Sequence, residues 1–375
     1  MMETTQFNPI QLKRARVARG KTMKVLAEET GISRQMISNY ELGKTVPSGL
    51  NLVKLISVLN FPKNYFSATQ ASNLHGATFF RSQNAATKRA RDMQSVRLSF
   101  QNDIYTTLSQ YVNFPKVDLP ESLDMDVDDI TNDNIKFMAM RVRDQWDLGT
   151  KTPIENLIQT AEIHGIVVVK TNMTNDKLDA VSEIIEGRPF IMLTDNGESA
   201  VRRRFNVAHE LGHIVLHAGI ESIHDFTSQQ LKNTIERQAN LFASTFLMPD
   251  DAFVESLLST SLDYYIKLKQ YWKASIQSMI YKTYQLGLIN DDQKLYLNKK
   301  ISWNKWRKIE PLDNILEIEN PTLFGKVFNM IIDHKVVSQA DLLSELKLPF
   351  DELECSLGIQ LATQKNISEP KLRLL

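Results

Sequence analysis

The chain has 375 residues, 42% of them hydrophobic and 23% charged, which is enough apolar material for more than one core. Its 44 Lys and Arg balance 44 Asp and Glu, so a uniformly basic nucleic-acid coat is excluded while a local basic patch is not. A lone cysteine, Cys355, excludes a disulfide scaffold. No apolar run approaches the roughly 18 residues of a membrane span, and the first residues lack the apolar core of a signal peptide, so a soluble cytoplasmic protein without a membrane partner is expected.

Charge is unevenly spread. Residues 1–66 hold ten basic side chains against four acidic ones, and residues 67–97 hold five against one. Short helical periodicities run through Ile10–Arg19, Thr22–Glu29, Ser33–Glu41 and Ser48–Leu59. Thr22, Ser33 and Ser48 stand as N-caps, and Gly20, Gly31 and Gly43 punctuate the ends. Helices this short are marginal alone and must pack together, through Leu26, Ala27, Ile32, Ile37, Tyr40, Leu52, Leu55, Ile56 and Leu59.

Ala27, Gly31, Ile32 and Ile37, with the run GISRQMISNYELGKTVPS, make residues 8–66 resemble a Cro/CI-type (XRE-like) helix-turn-helix domain. The resemblance implies an all-α domain whose second helix enters the major groove of a double-stranded DNA operator. It puts Arg34, Gln35, Ser38 and Asn39 on the outer face, where Arg suits guanine and Gln or Asn suits adenine. Lys44, Arg19 and the backbone near Ser33 would contact phosphates. Domains of this kind bind paired half-sites, so a homodimer is expected. A small helical protein–protein module is the other reading.

Residues 67–134 read as a basic helical stretch followed by an acidic connector. The helix is expected to start within Phe79–Phe100. Seven Asp or Glu and no Lys or Arg lie between Val117 and Ile135. Helices are then expected over Ile135–Leu148 and Ile154–His164. The period next changes: Gly165–Lys170 is a β-branched run, and Val181–Glu186 with Phe190–Thr194 flank Gly187-Arg188-Pro189 as a hairpin. A small sheet with helices around it makes residues 135–290 an α+β domain.

Within it, VRRRFNVAHELGHIVLHA at 201–218 has helical apolar spacing. His209 and His213 are four apart, hence on one face, with Glu210 between them. This is HExxH, in which two imidazoles hold zinc and the glutamate acts as base. Three fixed positions recur by chance in about one chain in a hundred of this length, so the apolar helix around them carries part of the weight. Two satisfied core histidines are the alternative. The longer motif with a third histidine fails, since Leu216 and Gly219 stand at its glycine and histidine positions. His217 has a poor helical angle for a third ligand. Glu236 falls on the core-facing stripe of Ala239, Phe242, Ala243 and Phe246, where a carboxylate is costly unless paired or bound to metal. It is the best third ligand, with a salt bridge to a nearby arginine as the alternative; Glu221 and Asp225 are weaker candidates.

RRRFNVAHELGHIVLH and ExxANxFAxxFLMP make residues 137–288 resemble the ImmA/IrrE zinc metallopeptidases. That resemblance implies a zincin-like domain in which His209, His213 and Glu236 bind zinc and Glu210 is the general base. Lys282 stands where an arginine is common in that family. Tyr281 and His217 are candidate donors to the oxyanion. Family members act on helix-turn-helix repressors, so the implied substrate is such a repressor or the chain itself. The expectation is a regulator whose peptidase relieves repression. Two alternatives stand beside it: a repressor or antitoxin-like regulator whose zinc domain is only a sensor or scaffold, and a peptidase of unrelated proteins that autoregulates its gene. Residues 291–375 read as helices at Pro321–Lys335, Ser338–Leu346 and Asp351–Gly358 that hold a partner, inhibit the peptidase or cap the domain, with Cys355 in the core. The whole is expected to be multidomain and mostly α.

Overall fold

The computed structural model describes residues 7–67, 78–80, 87–171, 180–218 and 228–361. In chain order the elements begin with α1 (Pro9–Ala18), α2 (Met23–Thr30), α3 (Arg34–Glu41) and α4 (Gly49–Leu59). Next come β1 (Thr78–Phe80), α5 (Lys88–Leu108), α6 (Asn132–Gln145), α7 (Leu157–Ile163), β2 (Val167–Thr171), β3 (Ala180–Ile185) and β4 (Arg188–Thr194). The rest is helical: α8 (Ala200–His217), α9 (Gln229–Leu247), α10 (Asp250–Ser256), α11 (Leu262–Trp272), α12 (Ile276–Gln285), α13 (Asp291–Trp303), α14 (Leu323–Asp333), α15 (Gln339–Leu346) and α16 (Phe350–Leu357). Among the described residues, no helix is long and apolar enough to cross a membrane.

These elements form two compact units that are not collinear with the sequence. Of the described residues, one unit gathers 7–67, 103–112 and 324–361; the other gathers 78–80, 87–102, 113–171, 180–218 and 228–323.

The first unit contains the four short N-terminal helices. Their expected caps are in place: Thr22, Ser33 and Ser48 accept hydrogen bonds from the amides of Val25, Met36 and Asn51. Each removes one orphan donor from a helix of only eight to eleven residues. Gly31 has φ +67° and ends α2 with its amide on the Ala27 carbonyl, so the chain reverses at once into α3. Leu26, Ile32, Ile37, Tyr40, Leu55 and Leu59 are buried as expected, while Ala27, Leu52 and Ile56 are half-buried. Arg16 clamps Glu41 through two bonds of 2.5 and 2.9 Å, tying α1 to the end of α3. The C-terminal helices belong to this same unit: Asn64 Nδ2 donates to the Ser344 carbonyl (2.9 Å), and the Tyr111 hydroxyl donates to Glu345 (2.6 Å). Cys355, expected in the core, is half-buried.

The second unit is built on a four-stranded sheet of order β1-β3-β4-β2. The β3–β4 hairpin is there, one residue earlier than its prolines and glycines suggest. Glu186 (φ 51°) and Gly187 (φ 80°) form the two-residue turn, and Ile185 pairs with Arg188. Two successive positive φ values match the twist of a two-residue hairpin. Pro189 is already in β4, at a position β2 does not reach, because the β2 ladder begins at Phe190. The helix expected within Phe79–Phe100 starts only at Lys88; Phe79 and Phe80 instead belong to β1, which pairs antiparallel with β3. Helical periodicity cannot register a three-residue strand whose only support is a neighbour a hundred residues away.

Helix α8 packs against β3 and β4 and against α6, α7 and α9, and nearly all its residues are buried. It meets α9 at Gly212. A Cβ there would stand 3.1–3.2 Å from the ring and Cβ of Phe242, which is itself fully buried and stacked on Phe246. Packing this tight lets the two helices run in contact, and overfilling it forces backbone shifts. Gly212→Ala is expected to cost about 1–3 kcal/mol, read as a melting temperature several degrees lower; an unchanged melting curve would show that the contact yields freely.

Candidate metal centre and DNA-reading helix

The contact of α8 with α9 places three donors together. His209 and His213 lie one helical turn apart, fully buried, with Nε2 atoms 3.0 Å apart. Glu236 comes from α9 and is partly exposed; its carboxylate oxygens stand 3.4 Å from His209 Nε2 and 3.6 Å from His213 Nε2. Donors around a tetrahedral zinc, at about 2.0–2.1 Å from the ion, are roughly 3.3–3.4 Å from one another. The observed separations bracket that value, and two imidazoles with one carboxylate suit a borderline-soft cation. Among the described residues this is the group of His, Cys, Asp and Glu side chains that could hold a metal ion. Burial would raise the Glu236 pKa, but without a cation between them hydrogen bonds and charge from histidines protonated at Nε2 hold it down at about 2, and a metal ion would take the place of those protons. The carboxylate is therefore an anion ready to ligate.

The arginine salt bridge to Glu236 is not made by Arg203, Arg204 or Arg237. Arg203 bonds Glu198 and Asp195, Arg204 pairs with Glu319, and Arg237 donates to Asn132.

A second layer of bonds sets the imidazole tautomers. His209 Nδ1 meets Asn240 Oδ1 at 3.1 Å, an acceptor that requires the proton on Nδ1 and leaves Nε2 as a lone pair. His213 Nδ1 meets His217 Nδ1 (3.2 Å), and His217 Nε2 meets Gln238 Oε1 (2.9 Å). Gln238 in turn donates its amide to the Val127 and Ile130 carbonyls. Since Gln238 Oε1 can only accept, His217 carries its proton on Nε2 and accepts at Nδ1 from His213. His213 thereby also offers a lone pair at Nε2. Burial first, then the neighbouring His213, pushes the His217 pKa down to about 3, so His217 stays neutral. His217 is thus turned away from the donor cluster and orients it. Asn240 and Gln238 escaped the reading of the sequence as site residues. A signal was present for Asn240, four residues from Glu236 in the same helix, but not for Gln238, whose spacing of two puts it on another face.

Glu210 points to the sheet. It is fully buried, and its Oε2 accepts a 2.6 Å bond from the Ser182 hydroxyl of β3. Ser182 was not legible in the sequence, because only the packing of α8 under β3 brings residues 28 apart together. Of the two candidate oxyanion donors, His217 is committed to the relay and Tyr281 is exposed, with Lys294 over its ring. Lys282 is buried and donates to Asp250 at 2.5 Å, fastening α12 to the start of α10. Glu221 and Asp225 lie outside the described residues.

In the other unit, α3 presents the expected outer face. Arg34 and Gln35 are exposed, Ser38 and Asn39 are half-exposed, and Gln35 Nε2 donates to Asn39 Oδ1 (3.4 Å) along one helical turn. Ser33 caps the helix start and Lys44 is exposed just past its end. Arg19 departs from expectation. Its guanidinium donates to Asp351 (2.6 and 3.1 Å) and to the Leu59 and Asn60 carbonyls, so it fastens α16 to the N-terminal helices and is not free for a phosphate.

Comparison with known families matches residues 12–66 to the helix-turn-helix model and residues 161–284 to the model of the IrrE N-terminal-like domain, a metallopeptidase family. No curated protein matches the chain. The protein therefore combines an N-terminal helix-turn-helix domain of XRE type with a domain of ImmA/IrrE type.

Because Asn240 sets the His209 tautomer from an exposed position, Asn240→Ala is expected to weaken zinc binding ~10–100-fold with little loss of stability. Competition with a chromophoric chelator measures this; unchanged affinity would remove Asn240 from the support of the site.

Proposed function

We propose that this chain, with a helix-turn-helix domain and a domain of the ImmA/IrrE metallopeptidase family, is a DNA-binding transcriptional regulator that hydrolyses peptide bonds in itself or in a related repressor. The cut relieves repression. What carries the reading is the convergence of His209, His213 and Glu236, with Glu210 between the two histidines in the same helix and its carboxylate held by Ser182. His209, His213 and Glu236 would hold zinc, which when bound supplies Lewis acidity and an acidified water. Glu210 then takes the proton of the attacking water and delivers it to the departing amine. The Ser182 hydroxyl fixes one oxygen of that carboxylate, so rotation of the side chain is restrained and the base stays aimed. A neutral His217 behind His213 keeps the ligand orientation through the cycle.

On the DNA side, Arg34, Gln35, Ser38 and Asn39 read base edges of a double-stranded operator, while Lys44 and the Ser33 end of α3 meet phosphates. Two copies would sit on paired half-sites. The exposed apolar residues Leu42, Val46, Leu50 and Val53 lie in the same unit, beyond α3 and along α4, and offer a face for that pairing.

In cells, Glu210→Gln is expected to keep zinc but abolish cleavage of the repressor, leaving transcription repressed. Immunoblots of candidate repressors, together with metal content, check this; a variant that still cuts refutes the role of Glu210. In binding assays, Gln35→Ala should cost about 1–3 kcal/mol and relax one operator position, whereas Lys44→Ala should lower the salt slope by about 1 at unchanged specificity. A uniform loss for both variants would remove base reading from Gln35.

A further inference from the structure

Strand β1 is the element of the second unit that neither the metal centre nor the sequence motifs require. It is three residues long and forms the outer edge of the sheet, in the register Thr78↔Glu183, Phe79↔Ser182, Phe80↔Val181. Without it β3 would be the edge, with a row of amides and carbonyls open to any extended chain. This edge is not a neutral one. Ser182, at its centre, holds the Glu210 carboxylate at 2.6 Å, and α8 with the His209–His213 pair packs beneath the strand. An extended peptide laid antiparallel on β3 would pass the reactive carboxylate, and adding a strand to an open edge is how many sites take a peptide main chain irrespective of its side chains. The position opposite Ser182 is held by the chain's own Phe79. The occupant comes from the stretch of sequence between the two family-matched regions, residues 12–66 and 161–284.

We propose that the β3 edge is the binding site for the extended backbone of a protein substrate, and that β1 fills this site in cis, so that a substrate strand must displace Thr78–Phe80 before it can reach Glu210. The inference rests on the peptidase reading for its consequence, but strand exchange itself is a binding event and can be read without catalysis. It explains how a peptidase can share a chain with a DNA-binding domain and not digest its surroundings: the open form is a minor state, and the apparent affinity for substrate falls by the fraction of molecules that are open.

The test is binding of a fluorescent peptide copying residues 74–84 of this chain to the full-length Glu210→Gln protein, which cannot consume it. In an antiparallel ladder alternate residues donate to a given neighbour, so of the two variants Thr78→Pro with Phe80→Pro, and Phe79→Pro, one removes β1 donors to β3 and the other does not. One variant should bind the peptide at least tenfold tighter than the unsubstituted strand, and hydrogen exchange at Val181–Glu183 should slow when it does. Equal affinity in all three folded proteins overturns the proposal. Should the proline variants not fold, Phe80→Cys with Val181→Cys, opposite one another, tethers the strand. Peptide binding should then be lost on oxidation and return on reduction, and binding indifferent to the redox state overturns the proposal equally. Hydrolysis of an unfolded carrier protein by the same strand variants with Glu210 intact separates the two readings. Glu210-dependent hydrolysis at equal rates, together with equal peptide affinity, refutes the covering strand and leaves the peptidase standing. Strand-dependent peptide binding without hydrolysis in any variant refutes the peptidase and leaves the covered edge.

Discussion

Helices α8 and α9 touch where Gly212 leaves room for the Phe242 ring, and the candidate metal centre is assembled across that contact. HExxH by itself supplies two imidazoles on one helix face. The third candidate donor lies 23 residues beyond His213, on a different helix, and its oxygens come within 3.4–3.6 Å of the two nitrogens where α8 and α9 are packed closely, at a contact a side chain at residue 212 would crowd. Helix α9 also carries Gln238 and Asn240, which reach the far sides of His217 and His209. One helix contact therefore sets both the ligand geometry and the tautomers, and a shift of α9 would disturb both together.

Burial divides the labour within this site. The histidines and Glu210 are fully enclosed. Glu236 keeps contact with solvent, so the donor set carries its negative charge on the side from which water can enter. A closed shell of four protein ligands would suit a structural ion; three donors with one accessible side suit an ion that must still bind water or substrate.

The DNA-binding unit solves a different problem. Its helices are too short to be stable alone, and the caps of Thr22, Ser33 and Ser48, the Arg16–Glu41 clamp and the Arg19–Asp351 bridge to the chain's last helix hold them in one arrangement. Arg19 shows how a basic residue in a basic segment can serve packing: its guanidinium is taken up by two carbonyls and a carboxylate of the fold. With Arg14, Arg16 and Arg19 taken up by carboxylates of the fold, fewer basic residues can meet a polyanion than the net charge of the segment suggests.

Much of this was legible in the amino-acid order, because it is local. Caps, glycine stops and the spacing of Ile37 and Tyr40 dictate α2, the turn and α3. The four-residue interval of His209 and His213 dictates a shared face, and the core stripe of α9 singles out Glu236. Local pattern goes no further. The pairing of β1 with β3, the bond of Ser182 to Glu210, the capture of Arg19 by Asp351 and the membership of α14–α16 in the N-terminal unit join residues from 28 to more than 300 apart. No periodicity spans such distances. A strand of three residues or a single serine has no signature of its own until packing brings its partner alongside, and so the tertiary structure alone decided what lies next to Glu210 and what pairs with the edge of β3.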